Sequence, residues 1–287
     1  MISGRETMLD DHGSGNPDQR RLKDKMVCTD LDGTLLGDDR SMYELLELLE
    51  RNNFLVVFDT GRDLGSVQRL IERKGIQKPD ALICMVGTEI YFSDKGKFRL
   101  DPRWSEIISE GWHRERIVEL MRDIRELSWQ DSRWQTDFKI SYLLKENQEA
   151  VLQEIDHRMQ EAELDVKVVH SCNQFLDLLP GRSSKNGALH YITKRLGIDK
   201  GDVVVCGDSG NDLELFEAGY RGIVVGNAYP ELGSYTGDNA YHATREYAAG
   251  ITEGLSRFGY FKSAGILARD YTVEGALARH DDLGSKN

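Results

Sequence analysis

The sequence predicts an α/β fold: a Rossmann-like, mostly parallel sheet core carrying an inserted, smaller α/β cap domain. Three observations point there. Five short apolar or β-branched runs, at 25–30, 54–60, 81–87, 202–208 and 222–228, have the length and composition of buried strands. Between them lie segments with apolar residues three and four apart, and a strand, helix, strand rhythm with right-handed crossovers gives a parallel sheet. About 95 residues then separate the third run from the next helical pattern, far more than one crossover needs, so a further folded unit is inserted there.

Taken in order, residues 1–24 are rich in charge and glycine and poor in apolar side chains, and are expected to form a disordered leader. The first part of the core is placed at 25–90. Met42, Leu45, Leu46, Leu48 and Leu49 mark its first helix, and Leu64, Val67, Leu70 and Ile71 its second. The inserted cap is placed at 91–180. Its pattern predicts a helix near 114–127, a strand at 136–144, a helix near 147–162, and strands near 165–170 and 174–179. The second part of the core, 181–261, opens with a helix at 184–196, in which Ala188, Tyr191, Ile192 and Leu196 recur before Gly197. Residues 262–287 are expected to be a weakly structured tail.

With 287 residues, 39% of them hydrophobic and 30% charged, the chain can bury a sizeable core, which excludes collagen-like and mostly disordered classes. Its net charge of -12 argues against nucleic acid and anionic membranes as partners. No run approaches the ~20 apolar residues of a membrane span, and the first residues lack the apolar stretch of a signal peptide, so the expected location is cytoplasmic. Cys28, Cys84, Cys172 and Cys206 form no C-x-x-C pair and suit reduced buried thiols better than disulfides or a zinc site.

The chemistry concentrates at strand ends. The first strand runs into Asp30-Leu31-Asp32-Gly33-Thr34, at the edge where open parallel sheets bind ligands. Residues two apart in an extended segment share a face, so both acids can look into one crevice. The second strand ends in Thr60-Gly61-Arg62, a hydroxyl, an unobstructed amide and a cation that together can hold phosphate oxygens. The strand at 202–208 ends in Gly207-Asp208-Ser209-Gly210-Asn211-Asp212. Crowding Asp30, Asp32, Asp208 and Asp212 at one edge is unfavourable unless a cation or proton compensates, which implies a divalent metal, and oxygen donors suit Mg2+. Lys185, near the start of a helix, can add a fixed positive charge.

In these four segments, in this order, the chain resembles the haloacid dehalogenase superfamily of phosphotransferases. Further segments, Val86-Gly-Thr-Glu-Ile90, Phe138-Lys-Ile-Ser-Tyr142, Leu176-Asp-Leu-Leu-Pro180 and Gly226-Asn-Ala228 followed by Pro230-Glu-Leu232, make it similar to sucrose-phosphate phosphatases. Asn186 departs from that pattern, which has glycine after the lysine. The resemblance implies that Asp30 attacks phosphorus, that Asp32 serves as acid and base, and that Asp30, the Asp32 carbonyl and Asp208 hold Mg2+. It implies Lys185 between phosphate and acids, Asp212 in support, and Thr34, Thr60, Gly61 and Asn211 as phosphate donors. Ser209 is expected to cap the following helix. In the cap, Gln135, Lys139, Ser141 and Asp177 become candidate partners of sugar hydroxyls, and Glu89 a candidate at the boundary between core and cap. Trp104, Trp112, Trp129 and Trp134 are expected to pack in the core, and no histidine is given a catalytic role.

The expected activity is Mg2+-dependent hydrolysis of a phosphorylated disaccharide, foremost sucrose 6-phosphate, through an aspartyl-phosphate. The alternatives are a phosphatase for another glycosyl phosphate, such as mannosylfructose phosphate, and a non-catalytic partner domain of a sugar-phosphate synthase. Such a synthase is also the one protein partner that the resemblance implies.

Overall fold

The computed structural model of the chain describes residues 23–171 and 174–261. Most of the expected leader, the expected tail and Cys172 lie outside them. The chain begins with β1 (Lys25–Asp30), α1 (Asp39–Arg51), β2 (Phe54–Asp59), α2 (Leu64–Lys74) and β3 (Ala81–Cys84). There follow β4 (Glu89–Asp94), β5 (Lys97–Leu100), α3 (Pro102–Ser109), α4 (Arg114–Met121), β6 (Leu127–Trp129), β7 (Ile140–Leu144), α5 (Gln148–Glu161), β8 (Val166–Ser171) and β9 (Phe175–Pro180). The chain continues with α6 (Lys185–Leu196), β10 (Val203–Gly207), α7 (Leu213–Glu217), β11 (Arg221–Val224), α8 (Pro230–Gly233), β12 (Ala240–His242) and α9 (Tyr247–Arg257).

The main sheet has eight strands in the order β12-β11-β10-β1-β2-β3-β4-β5, parallel from β12 to β3 and antiparallel beyond. Side-chain alternation in β1 explains why it sits centrally with both faces covered. Val27 joins a cluster with Leu45 and Leu49 of α1, Val67 of α2 and Ile251 of α9. Met26 and Cys28 point the other way, to Trp104 of α3, Leu189 of α6 and Phe216 of α7. The second sheet, β6-β7-β9-β8, is antiparallel and closes its own core with Ile117 and Met121 of α4 and Ile155 and Met159 of α5. Helix starts follow capping chemistry: the Asp38, Asp63 and Ser184 side chains each accept a first-turn amide.

The structure moves several expected bounds. Position 91 falls inside β4, which pairs antiparallel with β3 and buries Ile90 in the main core, so the sheet runs on past the expected start of the cap. Charged residues at 94–99 hide the alternation of this hairpin, whose turn at Lys95 and Gly96 takes positive φ. α4 stops at Met121, and Leu127–Trp129 pairs with β7 as a strand. Residues 136–139 form a tight turn ahead of β7 instead of extending the strand.

Candidate active site

The carboxyl ends of β1, β2 and β10 meet at the centre of the main sheet. Asp30 closes β1 and Asp59 closes β2, side by side in register. Asp208 and Asp212 follow β10, and Lys185 opens α6. Gly87, at φ +92°, lets α6 approach: a Cβ there would stand 2.5 Å from the Ser184 carbonyl carbon and 2.8 Å from the Lys185 nitrogen. The Lys185 side chain is fully buried; Nζ donates to Asp212 Oδ1 at 2.8 Å and Asp30 Oδ1 at 3.4 Å, with Asp59 Oδ1 at 3.8 Å. Asn211 Oδ1 accepts from the same ammonium at 3.4 Å. Asp212 is fixed from its other side, because Oδ2 accepts the N–H groups of Asp208 at 3.1 Å and Ser209 at 3.4 Å. Ser209 occupies the N-cap of the turn Gly210–Asp212. The Thr34 hydroxyl donates to Asp208 Oδ1 at 2.9 Å, and Asn227 Nδ2 donates to the Gly33 carbonyl at 2.7 Å, steadying the loop after β1.

Three carboxylates thus share one ammonium, with Asp208 beside Asp30 and Asp212. Burial raises the Asp30 carboxyl well above the ordinary aspartate value, Lys185 opposing and the neighbouring acids adding to it. Asp208 is raised by burial too, against its hydrogen bond from Thr34. Burial pushes Asp59 up to about 7, and neither of its oxygens has a hydrogen-bond partner. Burial disfavours the Lys185 charge, but Asp212, Asp59 and Asp30 outweigh it and hold its value well above that of an ordinary lysine. This surplus of negative charge fits a divalent cation. One oxygen each of Asp30, Asp208 and Asp212 lies within 4.8 Å of the others. Gly33, at φ +88°, keeps space open beside Asp208, where a Cβ would come 2.4 Å from Oδ2. Since Asp212 is committed to Lys185 and two amides, Asp30 and Asp208 are the side chains best able to serve such an ion.

Asp32 is exposed and is gripped by Arg62, whose Nε donates to Oδ2 at 2.7 Å while Nη2 donates to Oδ1. The guanidinium expected to help hold phosphate is therefore spent on a bidentate ion pair. Thr60 is buried, and its Oγ1 accepts the Arg62 N–H at 3.2 Å. A Cβ on Gly61 would meet nothing closer than Val86 Cγ2 at 3.9 Å, so no neighbour in the structure demands glycine there.

In the cap, the four expected polar residues form one cluster. Lys139 Nζ pairs with Asp177 Oδ2 at 3.0 Å, and the Ser141 hydroxyl donates to Asp177 Oδ1 at 2.6 Å. Gln135 clasps the Ser141 backbone, donating to its carbonyl at 2.8 Å and accepting its N–H at 3.0 Å. Ser141 is wholly buried, and the Lys139–Asp177 pair is buried beside it. Lys139 also sits 5.7 Å from the centroid of the Trp134 ring. The turn before β7 touches the core: Phe138 packs on the core cluster, and Asp137 adds to the burial that raises Glu89 above the ordinary glutamate value. Of the tryptophans, Trp104 is core, its Nε1 donating to the Gly87 carbonyl, whereas Trp129 is about half exposed.

Residues 23–259 match the family model for sucrose-6F-phosphate phosphohydrolase. The chain belongs to this family. Among its relatives is the mannosylfructose-phosphate phosphatase of Agrobacterium fabrum, 32% identical over 82% of this chain and 97% of that one. Sucrose-phosphatase 1 of Nicotiana tabacum is 34% identical over 81% of the chain, which spans only 59% of that longer relative. The sucrose-phosphatase of Synechocystis, solved in complex with sucrose and phosphate, superposes with a TM-score of 0.76 at 32% identity, covering 84% of this chain and 100% of that one. A haloacid dehalogenase-like hydrolase of Bacillus subtilis shares the fold at 20% identity, with a TM-score of 0.65. This member of the sucrose-6F-phosphate phosphohydrolase family is thus a sugar phosphatase on a haloacid dehalogenase-like core.

Two residues of the site escape a reading of the sequence. Asp59 is an acid closing a buried parallel strand, the same signal that exposes Asp30, but the apolar run before Thr60 absorbs it. Glu214 follows the Gly207–Asp212 segment and reads there as an ordinary helix-surface acid. In the structure its Oε1 accepts the Lys185 N–H at 2.6 Å.

Proposed function

We infer that this phosphatase hydrolyses sucrose 6-phosphate to sucrose and phosphate with Mg2+ as its cofactor. The observation that carries the reading is the buried Lys185 ammonium shared by Asp30 and Asp212 beside Asp208, with Asp32 two residues further along the same loop. A carboxylate of Asp30 attacks phosphorus as the bond to the sugar oxygen breaks. Asp32 gives that oxygen its proton, which requires Arg62 to release at least one of the two carboxylate oxygens it grips. Water then attacks the aspartyl-phosphate, Asp32 takes its proton, and the Asp30 carboxylate leaves. Lys185 offsets the charge of the phosphoryl group, Asp212 holds Lys185, and Thr34, Thr60, Asn211 and the Gly61 amide supply donors to its oxygens. Mg2+ would be held by Asp30, the Asp32 carbonyl and Asp208, where it neutralises phosphate charge.

Selectivity belongs to the cap in this reading. Lys139 and Asp177 offer a donor and an acceptor to sugar hydroxyls, Gln135 and Ser141 keep them in place, and Glu89 borders the same space from the core. A cytoplasmic location and association with a sugar-phosphate synthase complete the reading, and cell fractionation and co-purification check them; among the described residues no helix is long and apolar enough to cross a membrane. Mannosylfructose phosphate is the second candidate substrate, favoured by a relative matched over 97% of its length. Phosphate release from sucrose 6-phosphate, mannosylfructose phosphate, trehalose 6-phosphate, glucose 6-phosphate and fructose 6-phosphate separates these readings, with Asp30→Asn as control. A strong preference for sucrose 6-phosphate is expected. Preference for another member, or release that survives Asp30→Asn, overturns the reading.

A further inference from the structure

Glu214 spends its two carboxylate oxygens on two different parts of the molecule. Oε1 accepts the Lys185 N–H at 2.6 Å, and Oε2 accepts Lys167 Nζ at 2.8 Å. Lys167 lies on β8, an edge strand of the cap sheet, whereas Lys185 opens α6 in the core. The first amides of a helix have no partner within it, so the Lys185 N–H needs an outside acceptor, and a carboxylate there is also favoured by the helix dipole. Glu214 itself lies two residues beyond the turn Gly210–Asp212, which carries Asn211 and Asp212 onto the Lys185 ammonium. One side chain therefore joins the cap to the backbone of the residue whose ammonium sits among the site's acids.

We propose that Glu214 is a positioning residue that latches the cap to the core through Lys167 and sets the place of Lys185 through its backbone amide. The latch can form only with β8 brought against α7; on the function proposed above, this is the arrangement in which Lys139 and Asp177 serve a sugar bound over the core. Breaking the cap half of the latch lowers the population of that arrangement and weakens capture of a sugar phosphate. A small aryl phosphate, which needs only the core, is indifferent to it. Breaking the core half frees the start of α6, and with it the ammonium, so turnover of both substrates suffers. The sugar-dependent half of this inference rests on the function proposed above; the amide half does not.

Three variants separate the two halves, each assayed as the full chain with Mg2+ on sucrose 6-phosphate and para-nitrophenyl phosphate. The Lys167 and Glu214 side chains are 31% and 28% exposed, so solvent screens the pair and its loss is a modest effect. Lys167→Met is expected to raise KM for the sugar phosphate about two- to fivefold while the aryl phosphate constants stay unchanged. Glu214→Ala should lower kcat on both substrates about tenfold, the scale of a lost charge-assisted hydrogen bond. Glu214→Gln keeps an acceptor for the Lys185 N–H but not the charge, so it should recover most of that kcat while retaining the raised KM. Amide hydrogen exchange at Lys185, followed by NMR, should be slow in the wild type and the Gln variant and fast in the Ala variant. Equal effects of Lys167→Met on both substrates, no effect on either, or identical behaviour of the Gln and Ala variants overturns the proposal. Should the wild type turn over only the aryl phosphate, the substrate assignment fails; the Lys185 exchange rate then decides the latch, and indifference to Glu214→Ala sinks it.

Discussion

Asp59 offers the sharpest stability test, because the fold carries it as a liability. It is buried without exposure, its oxygens accept no hydrogen bond, and its nearest cation, Lys185, stands 3.8 Å away and is shared with two other acids. Its carboxyl is pushed up to about 7 from the ordinary 3.8. The folded protein thus binds this proton more tightly than the unfolded chain. Stability from this group is fully present below the unfolded value and is lost as pH rises towards the folded one, at about 1.4 kcal/mol per pH unit. Ionising Asp59 in the fold therefore costs on the order of 4 kcal/mol above pH 7. An asparagine side chain cannot titrate, so Asp59→Asn should gain stability over the wild type by roughly 2–3 kcal/mol between pH 5 and pH 7, and the gain should level off above that. Urea unfolding of both proteins in chelator at pH 5, 6, 7 and 8 reads this difference, with the cation excluded so that its binding does not enter. A difference independent of pH, or one that shrinks as pH rises, refutes the account of Asp59 as an uncompensated buried acid.

Lys139→Ala should raise KM for sucrose 6-phosphate about tenfold or more with little change for para-nitrophenyl phosphate, because it strands the buried Asp177 partner; equal changes in steady-state kinetics on both substrates remove Lys139 from the sugar pocket. Gly33→Ala places a Cβ 2.4 Å from Asp208 Oδ2 in a backbone region that costs a side chain about 1–2 kcal/mol, so thermal melts should show lower stability and titrations weaker activation by Mg2+. Removal of metal with EDTA should stop phosphate release and Mg2+ should restore it. Mg2+ should also raise the midpoint of thermal unfolding, since an ion bound only by the folded state stabilises it.

The core of this molecule is legible in its sequence because its chemistry sits where the topology must put it. Asp30, Thr60, Lys185, Asp208 and Asp212 each stand at or beside a strand end or helix start, positions that apolar periodicity locates well, and Thr34 lies on the loop that follows β1. The hairpin β4–β5 is not legible, since its exposed face breaks the alternation and a sheet edge needs no continuous apolar run. Arg62 reads as a phosphate ligand because spacing shows that a cation is near, not which of two anions it faces; the structure turns it onto Asp32. Gln135 and Ser141 group with Lys139 and Asp177 as polar interruptions of a strand. Only the hydrogen bonds show that Gln135 clasps the Ser141 backbone while Lys139 and Asp177 form a buried pair. Glu214 lies beyond sequence reasoning altogether, because its partners are 29 and 47 positions away and no motif joins them.

In the proposed mechanism Asp30 carries the phosphoryl group between sugar and water. Rapid acid quenching during turnover of sucrose 6-phosphate, followed by peptide mass spectrometry, tests it most directly. Phosphate is expected on the peptide containing Asp30, appearing before free phosphate and absent in Asp30→Asn. Full turnover with no phosphate on that peptide at any time, or with Asp30→Asn as active as the wild type, would contradict it.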